Sequence, residues 1–221
     1  MENFKSFITE AKDEDYRIVV LSVEHGDNAI TAKRIKEEAD KLKLPHYITS
    51  IDGTHISYDD GTYTIHELDD DTGFEISSYD TVAFIRGTPT KDSSLNLVSE
   101  LEKIGICVVN SRETISTTAD KYRTYIKLKD YGLTQPKTVL VPNEDSLEIA
   151  VNDLDTKFPI IMKTLRGSKG IGVLFIESEI ALSSIVQLMY KTDSNTDLLI
   201  QEYIKTDFDV RAIVLDGQVI A

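Results

Sequence analysis

The sequence predicts two mixed domains, an α/β domain followed by an α+β domain. In the first half, nearly continuous apolar runs over residues 17–23 and 81–85 alternate with helical patterns, which is typical of strands buried on both faces of a parallel sheet. In the second half, apolar runs come in neighbouring pairs with helices between them, which indicates antiparallel strands covered by helices. The predicted domains are residues 1–112 and 113–221.

The first domain is predicted to begin with an amphipathic helix over residues 4–11 and a strand over residues 17–23. Asp27 or Asn28 is expected to cap a helix over residues 29–42, before a strand over residues 46–51. Alternating residues on either side of Asp60-Gly61 predict a β-hairpin. A strand over residues 81–85, a helix over residues 94–104 and a strand over residues 106–109 complete the domain.

The carboxyl ends of these strands are where a sheet of this type binds ligands. His25-Gly26, Arg86 and Asn110-Ser111 are predicted to lie there. Arg86 is suited to bind a substrate carboxylate, and pairing with surface acids is an equally good interpretation. The acidic run of residues 69–71 is interpreted as a solvated loop in preference to a cation site.

The second domain is predicted to begin with a helical connector over residues 111–136. A strand over 137–141, a helix over 144–154 and two strands over 160–164 and 173–176 follow. A helix over residues 180–190 precedes a strand over 198–204. A last strand over residues 209–215 turns at Asp216-Gly217 into residues 218–221.

A short loop rich in glycine and basic residues separates the strands over 160–164 and 173–176. Glycines can take positive φ and turn several N–H groups toward one point, and aimed N–H groups with nearby cations suit a polyphosphate. Because the loop joins strand to strand, it is neither a Walker A motif nor a dinucleotide fingerprint. The simpler alternative is a hairpin tip with solvated charges. The loop residues assigned to phosphate binding are Gly167, Ser168, Lys169, Gly170 and Gly172.

Composition narrows the classes of function. The formal net charge of −14 argues against general affinity for nucleic acid, and no apolar stretch is long enough for a membrane helix. The single cysteine, Cys107, lies in an apolar run and is expected to be buried and inert. A cytoplasmic location is expected. The four histidines show no ligand spacing, and no metal ligand is assigned.

Four segments occur in an order that resembles the ATP-grasp superfamily. They are Asp120-Lys121, Lys163 before the glycine loop, residues 201–204 (QEYI) and residues 209–211 (DVR). The pattern is most similar to the RimK-like carboxylate–amine ligases, of the ribosomal-protein glutamate ligase type. The resemblance implies a pre-ATP-grasp α/β domain followed by an incomplete α+β ATP-grasp domain that contains the nucleotide flap.

The resemblance also implies residue roles. Lys121 and Lys163 would contact ATP phosphates, and the glycine loop would close over them. Glu202 and Tyr203 would form the hinge that reads the adenine edge, and Asp209 would bind the ribose side. Arg211 would be the catalytic residue near the reacting phosphoryl group. As alternatives, Lys121 is an ordinary exposed lysine, Tyr203 belongs to the core, and Asp209 and Arg211 simply pair with each other.

By this resemblance, the cofactors are ATP and Mg²⁺. ATP would activate a carboxylate, such as a protein or peptide terminus, as an acyl phosphate, and an amine such as glutamate would attack it. No residue matches the metal ligands of the family, so these are expected beyond residue 221, and the chain alone is expected to be inactive. A homo-oligomer or a complementing chain is a further expectation. The alternative function is a non-catalytic nucleotide-binding or interaction module.

Overall fold

The structure, a computed structural model, describes residues 16–24, 29–67, 72–167, 170–215 and 217–220. The chain separates into two compact units, with the boundary between Ser116 and Thr117. Each unit has its own hydrophobic core. No helix within these described ranges combines the length and apolar character needed to cross a membrane.

A parallel sheet forms the centre of the first unit. Its strands lie in the order β2-β1-β6-β7, and every neighbouring pair is parallel. Because β1 and β6 are buried on both faces, their sequences are almost wholly apolar. The elements of this layer are β1 (Arg17–Ser22), α1 (Ile30–Leu42), β2 (His46–Ser50), β6 (Thr81–Arg86), α2 (Asp92–Lys103) and β7 (Cys107–Val109).

A small antiparallel sheet packs onto the same core. It consists of β3 (Thr54–Asp59), β4 (Thr62–Glu67) and β5 (Phe74–Ile76), with β4 in the middle. Asp60 and Gly61 both have positive φ, 44° and 87°, which suits the tight turn of a two-residue hairpin. The predicted hairpin is thereby confirmed. Ile65 and Ile76 of this sheet are buried against Leu21 and Val98 in one cluster.

The second unit is built on an antiparallel sheet with the order β10-β9-β11-β8. Its core contains Met162, Leu182 and Ile200, all at most 1% exposed. The elements are α4 (Lys121–Asp130), β8 (Thr138–Val141), α5 (Leu147–Leu154), β9 (Ile160–Thr164), β10 (Val173–Ile176), α6 (Glu179–Thr192), β11 (Leu198–Glu202), β12 (Val214–Leu215) and β13 (Gln218–Val219). Before them, α3 (Arg112–Thr118) crosses the unit boundary.

One predicted element is wrong. The strand predicted over residues 209–215 is reduced to Val214–Leu215, and residues 203–213 form neither helix nor strand. The predicted helical connector is present as two helices, since Asp120 accepts hydrogen bonds from the N–H groups of Tyr122 and Arg123 and starts a new helix there. The strands predicted over 160–164 and 173–176 are confirmed at both ends.

Smaller corrections concern single residues. The N-cap of α1 is Ala29, which makes no side-chain cap hydrogen bond, and Asp27 and Asn28 lie outside the described residues. Cys107 is half-buried and not fully buried, and desolvation raises the pKa of its thiol. The helix predicted over residues 4–11, His25-Gly26 and the acidic run 69–71 lie outside the described residues.

Candidate nucleotide-binding site

Lys121 and Lys163 line one cavity of about 260 Å³ in the second unit. They come from separate elements, since Lys121 begins α4 and Lys163 lies near the end of β9. Two cations on one cavity attract an anion strongly, and they repel each other when it is empty. Other residues that line the cavity include Tyr125, Leu128, Thr138, Leu199 and Gln201.

The sheet directs Lys163 into this cavity. Side chains alternate along a strand, and Met162 points into the core at 1% exposure, so Lys163 projects from the opposite face. Burial lowers the pKa of Lys163 below its ordinary value of 10.5, and the positive charge of Lys121 lowers it further. An incoming anion would offset both effects and favour the charged ammonium group.

A chain of hydrogen bonds orients the ammonium group of Lys163. Its Nζ donates to Gln201 Oε1 at 2.6 Å, and Gln201 Nε2 donates to Thr138 Oγ1 at 2.7 Å. The hydroxyl of Thr138 in turn donates to the carbonyl of Pro136 at 2.9 Å. This order fixes each donor and acceptor, so the carboxamide of Gln201 has one satisfactory orientation and holds Lys163 in one place.

Lys121 is held by the start of the glycine loop. Its backbone N–H donates to the carbonyl of Leu165 at 3.0 Å. Its ammonium group lies 2.9 Å from the carbonyl oxygen of Thr164, 3.5 Å from that of Leu165 and 3.3 Å from that of Gly167. Lys121 therefore is no ordinary exposed lysine, because its charge is directed onto the backbone of the loop.

The glycine loop has the backbone geometry that the sequence predicts. Gly167, Gly170 and Gly172 have φ values of 139°, 80° and 76°. The N–H of Thr164 donates to the carbonyl of Gly172 at 2.9 Å, which closes the base of the loop. Ser168 and Lys169, also predicted to bind phosphate, lie outside the described residues.

The predicted hinge follows β11. The N–H of Glu202 already donates to the carbonyl of Lys137 at 2.9 Å. The N–H groups of Tyr203 and Ile204, by contrast, have no hydrogen-bond partner among the described residues. The ring of Tyr203 makes an edge-to-face contact with Phe175 of β10, at 5.0 Å between centroids. The two rings form an apolar wall beside two unused N–H donors, so Tyr203 is not plain core.

Asp209 and Arg211 are not brought to this cavity. Both are exposed in the irregular segment after β11, and neither is among the residues that line the cavity. No ion pair joins Asp209 to Arg211 or either of them to another described side chain. The ribose role of Asp209 and the catalytic role of Arg211 stay predictions.

The sequence analysis assigned no role to Gln201, Thr138 or Phe175, although Gln201 belongs to the segment 201–204. A signal existed for Gln201, because a polar residue directly follows the apolar run Leu198–Ile200 on the strand that neighbours Lys163. Nothing local in the sequence marks Thr138 or Phe175, whose roles depend on strand pairing. Within the described ranges, no group of three or more His, Cys, Asp or Glu side chains is arranged to hold a metal ion.

Comparison with known proteins gives a family profile and several relatives. The profile described as "RimK-like ATP-grasp domain" matches residues 118–221. A protein of Pseudoalteromonas atlantica described as "Probable alpha-L-glutamate ligase 2" is 27% identical over 207 residues, which cover 93% of this chain and 66% of the relative. This chain therefore spans slightly less than two thirds of that relative's length.

Solved structures show a similar fold. A RimK domain protein with an ATP-grasp fold from Sphaerobacter thermophilus superposes with a TM-score of 0.62 and 19% identity, over 87% of this chain and 65% of the other. The ATP-grasp ligase PsnB, solved with the precursor peptide PsnA2 and AMPPNP, superposes with a TM-score of 0.58 and 14% identity, over 88% of this chain and 67% of the other. At these identities the likeness concerns the fold.

Proposed function

We propose that this chain, whose residues 118–221 belong to the RimK-like ATP-grasp domain family, binds ATP at the two-lysine cavity as part of a carboxylate–amine ligase. The observation that carries the proposal is the convergence of Lys121 and Lys163 on one cavity beside the glycine loop. Two ammonium groups from separate elements, next to a backbone with positive φ, match the charge and shape of a polyphosphate.

Lys163 would bind phosphate as a positioned point charge. Its bond to Gln201 uses one of three ammonium protons, which leaves donors for phosphate oxygens. Because part of the desolvation penalty is already present in the folded chain, the ammonium group gains from each negative charge placed beside it. Positioning and charge neutralisation are the main contributions a protein makes to phosphoryl transfer.

Lys121 would exchange loop carbonyls for phosphate oxygens. In the free chain its ammonium group faces the carbonyl oxygens of Thr164, Leu165 and Gly167. Charged phosphate oxygens are stronger acceptors than amide carbonyls. A triphosphate would therefore draw Lys121 away from Gly167, the carbonyl on the exposed side, and leave the loop to close over the ligand.

The hinge would recognise the adenine ring. An adenine edge offers one donor and one acceptor side by side, and a backbone N–H with a neighbouring carbonyl satisfies both. The unused N–H groups of Tyr203 and Ile204 supply such donors. The aromatic pair Phe175 and Tyr203 supplies an apolar wall for the ring.

The substrates proposed are a carboxylate, such as a protein or peptide terminus, and an amino-acid amine such as glutamate. The names of the relatives support glutamate, and the PsnB complex with a precursor peptide supports a peptide carboxylate. The carboxylate would be activated as an acyl phosphate, and the amine would displace phosphate to form an amide. Asp209 and Arg211 are proposed to assist at the ribose and the reacting phosphoryl group. A cytoplasmic location, where ATP is supplied, is part of the proposal.

Magnesium would accompany the phosphates and neutralise their charge when bound. The described residues offer no cluster of acidic or histidine ligands for it. The roles derived for this chain are therefore those of its own side chains, namely phosphate binding by the lysines and adenine recognition by the hinge.

The proposal is tested by calorimetric titration of the purified chain with ATP, in parallel with a Lys163→Met variant. Loss of a charged hydrogen-bond donor costs about 1.5–3 kcal/mol, so Lys163→Met is expected to weaken binding about tenfold or more. Lys191→Met, an exposed substitution on α6, is the matched control and should bind as the unmodified chain does.

Absence of ATP binding, or equal affinity in Lys163→Met, would refute the nucleotide site. Binding that depends on Lys163 would support the nucleotide site, which the ligase and the alternative non-catalytic nucleotide-binding module share.

A further inference from the structure

Arg86 lies at the carboxyl end of β6, in the first unit. Its backbone is fixed there, because its carbonyl accepts a 2.9 Å hydrogen bond from the N–H of Val23. The following residue, Gly87, has a φ of +82°, and a Cβ at this position would come within 3.0 Å of Val23 Cβ. The ends of β1 and β6 are therefore tightly joined at the backbone of Arg86.

The side chain of Arg86 is half-buried, and no hydrogen bond or ion pair joins it to another residue that the structure describes. Its Nε is buried without any hydrogen bond. No ion pair of the described chain includes Arg86, although the chain is strongly acidic. A buried polar atom without a partner carries a desolvation penalty. Of the two interpretations of the sequence, the described residues therefore favour ligand binding, because none of their acidic side chains pairs with Arg86.

The position of Arg86 in the sheet is the second observation. The chain runs from β1 to β2 on one side of the sheet and then continues with β6 and β7 on the other side of β1. The order of strands therefore reverses between β1 and β6. In open parallel sheets, the crevice outside the carboxyl ends at such a reversal is where ligands bind. Arg86 is in register with Ser22, the last residue of β1, at the edge of this crevice.

We infer that Arg86 is the anchor of a carboxylate-binding site in the first unit. A guanidinium group presents its N–H donors in a planar fork that matches the two oxygens of a carboxylate. A carboxylate bound to the guanidinium group supplies an acceptor that no described residue provides.

This carboxylate is a non-reacting carboxylate of the acidic substrate. That identification rests on the proposed function, whereas the binding itself rests on the position and the unpaired state of Arg86. Glutamate and peptides that end in glutamate carry two carboxylates, of which at most one reacts. An arginine that holds the other selects acidic substrates over neutral ones of the same size.

The test is titration of the full chain with L-glutamate, followed by NMR chemical shifts, for the unmodified protein and two variants. Arg86→Gln is expected to weaken binding about tenfold or more. Arg17→Gln is the matched control, because it removes the same charge from the amino end of β1, where Arg17 is paired with Asp80 at 3.2 Å. It should leave the glutamate affinity unchanged.

Stability separates a ligand anchor from a structural arginine. Arg86→Gln is expected to keep or raise the melting temperature, because it shortens a side chain whose buried Nε is unsatisfied. Arg17→Gln is expected to lower it, since the hydrogen bond to the carbonyl of Glu75 and the ion pair with Asp80 are lost. If Arg86→Gln does not fold, Arg86→Lys replaces it in the test. Lysine keeps the positive charge but lacks the planar guanidinium fork, so weaker glutamate binding is again expected.

Two amide analogues identify the carboxylate. Affinity retained with L-glutamine and lost with the α-amide of glutamate assigns Arg86 to the α-carboxylate, and the opposite result assigns it to the side-chain carboxylate. Absence of glutamate binding in the unmodified chain, or equal binding in Arg86→Gln, would overturn the site.

ATP binding distinguishes the two proposals. Arg86→Gln should bind ATP as the unmodified chain does, since the lysine cavity belongs to the second unit. Glutamate binding that depends on Arg86 in a chain that binds no ATP would leave the carboxylate site standing and refute the ligase. ATP binding without Arg86-dependent glutamate binding would refute the carboxylate site and leave the nucleotide site standing.

Discussion

The ammonium nitrogen of Lys163 donates a hydrogen bond of 2.6 Å to Oε1 of Gln201 across the β9–β11 pairing. The bond is diagonal, because Lys163 is in register with Leu199 and Gln201 with Ile161. Thr138 of β8 then fixes the amide of Gln201. Three neighbouring strands thus hold one cation, and a group built on strands is positioned more tightly than one built on a loop.

Replacement of Gln201 by leucine tests this relationship. We expect Gln201→Leu to bind ATP several-fold more weakly, because Lys163 loses the acceptor that orients it, an interaction worth about 1 kcal/mol or more. The measurement is calorimetric titration with ATP. Gln187→Leu, an exposed substitution on α6, is the control, and equal affinities in the two variants would contradict the orienting role.

A double-mutant cycle with Thr138→Val sharpens the same test. If Thr138 acts through Gln201, the double variant should bind ATP no more weakly than Gln201→Leu alone, since coupled residues are not additive. Additive losses would show that Thr138 contributes by another route.

The pH dependence of stability should carry a signature of Lys163. Burial, and then the charge of Lys121, lowers the pKa of Lys163 below 10.5. Between the lowered pKa and 10.5 the unfolded chain binds a proton that the folded chain has released, so the free energy of unfolding rises with pH across this window. Below the window both states are protonated, and the penalty of the buried charge is fully present.

Urea unfolding of the unmodified chain and of Lys163→Met, across the alkaline range up to 10.5, isolates this contribution. We expect the stability of Lys163→Met relative to the unmodified chain to be greatest below the window and to shrink as the pH rises through it. A difference that is constant with pH would show that Lys163 is not desolvated.

Leu182 is expected to be among the most sensitive positions of the second core. It is 0% exposed, whereas Ile180 on the same helix is 82% exposed. Truncation of a buried leucine leaves a cavity, so Leu182→Ala should lower the free energy of unfolding by about 2–5 kcal/mol. Ile180→Ala is the matched control and should change it by less than about 0.5 kcal/mol. Denaturant unfolding measures both, and similar losses would contradict the position of α6.

Two alanine substitutions in the glycine loop should differ in severity. Gly170 and Gly172 have φ values of +80° and +76°, so alanine is strained at both. A Cβ at Gly172 would also overlap Oγ1 of Thr164, whereas the space at Gly170 is open. We therefore expect Gly172→Ala to lose more ATP affinity and to open the loop to limited proteolysis, while Gly170→Ala shows the smaller loss that backbone strain alone causes. Equal protease sensitivity would refute the close approach at Thr164.

Elements with a strong local pattern were predictable from sequence. The two strands around the glycine loop match at both ends, because apolar β-branched runs are bounded there by Pro159 and by glycines. The strand predicted over residues 209–215, by contrast, has a local strand pattern and forms only over Val214–Leu215. Val210 and Ala212 alternate with the charged residues Asp209 and Arg211 as in a strand. Val210 is nevertheless 81% exposed, and no described strand pairs with residues 209–213. A strand needs a partner, which local alternation cannot supply.

The two lysines of the site could be predicted from the sequence, whereas the residues that orient Lys163 could not. Lys163 stands out because a lysine beside apolar strand residues requires a reason, and Lys121 stands out by its place in the order of segments that resembles the ATP-grasp superfamily. Gln201 and Thr138 act through strand register, since Gln201 is 38 residues from Lys163 and 63 residues from Thr138 in sequence. Such neighbours come from strand order, which the pattern of one segment does not reveal.

The ammonium group of Lys121 contacts the carbonyl oxygens of Thr164, Leu165 and Gly167. The loop and an incoming anion therefore compete for the same cation, so the loop opposes nucleotide binding. Any partner that pins the loop in its present shape would weaken nucleotide affinity, and by reciprocity the nucleotide would weaken the binding of that partner by the same factor. Regulation of such a protein could therefore act on the hairpin without reaching the nucleotide at all.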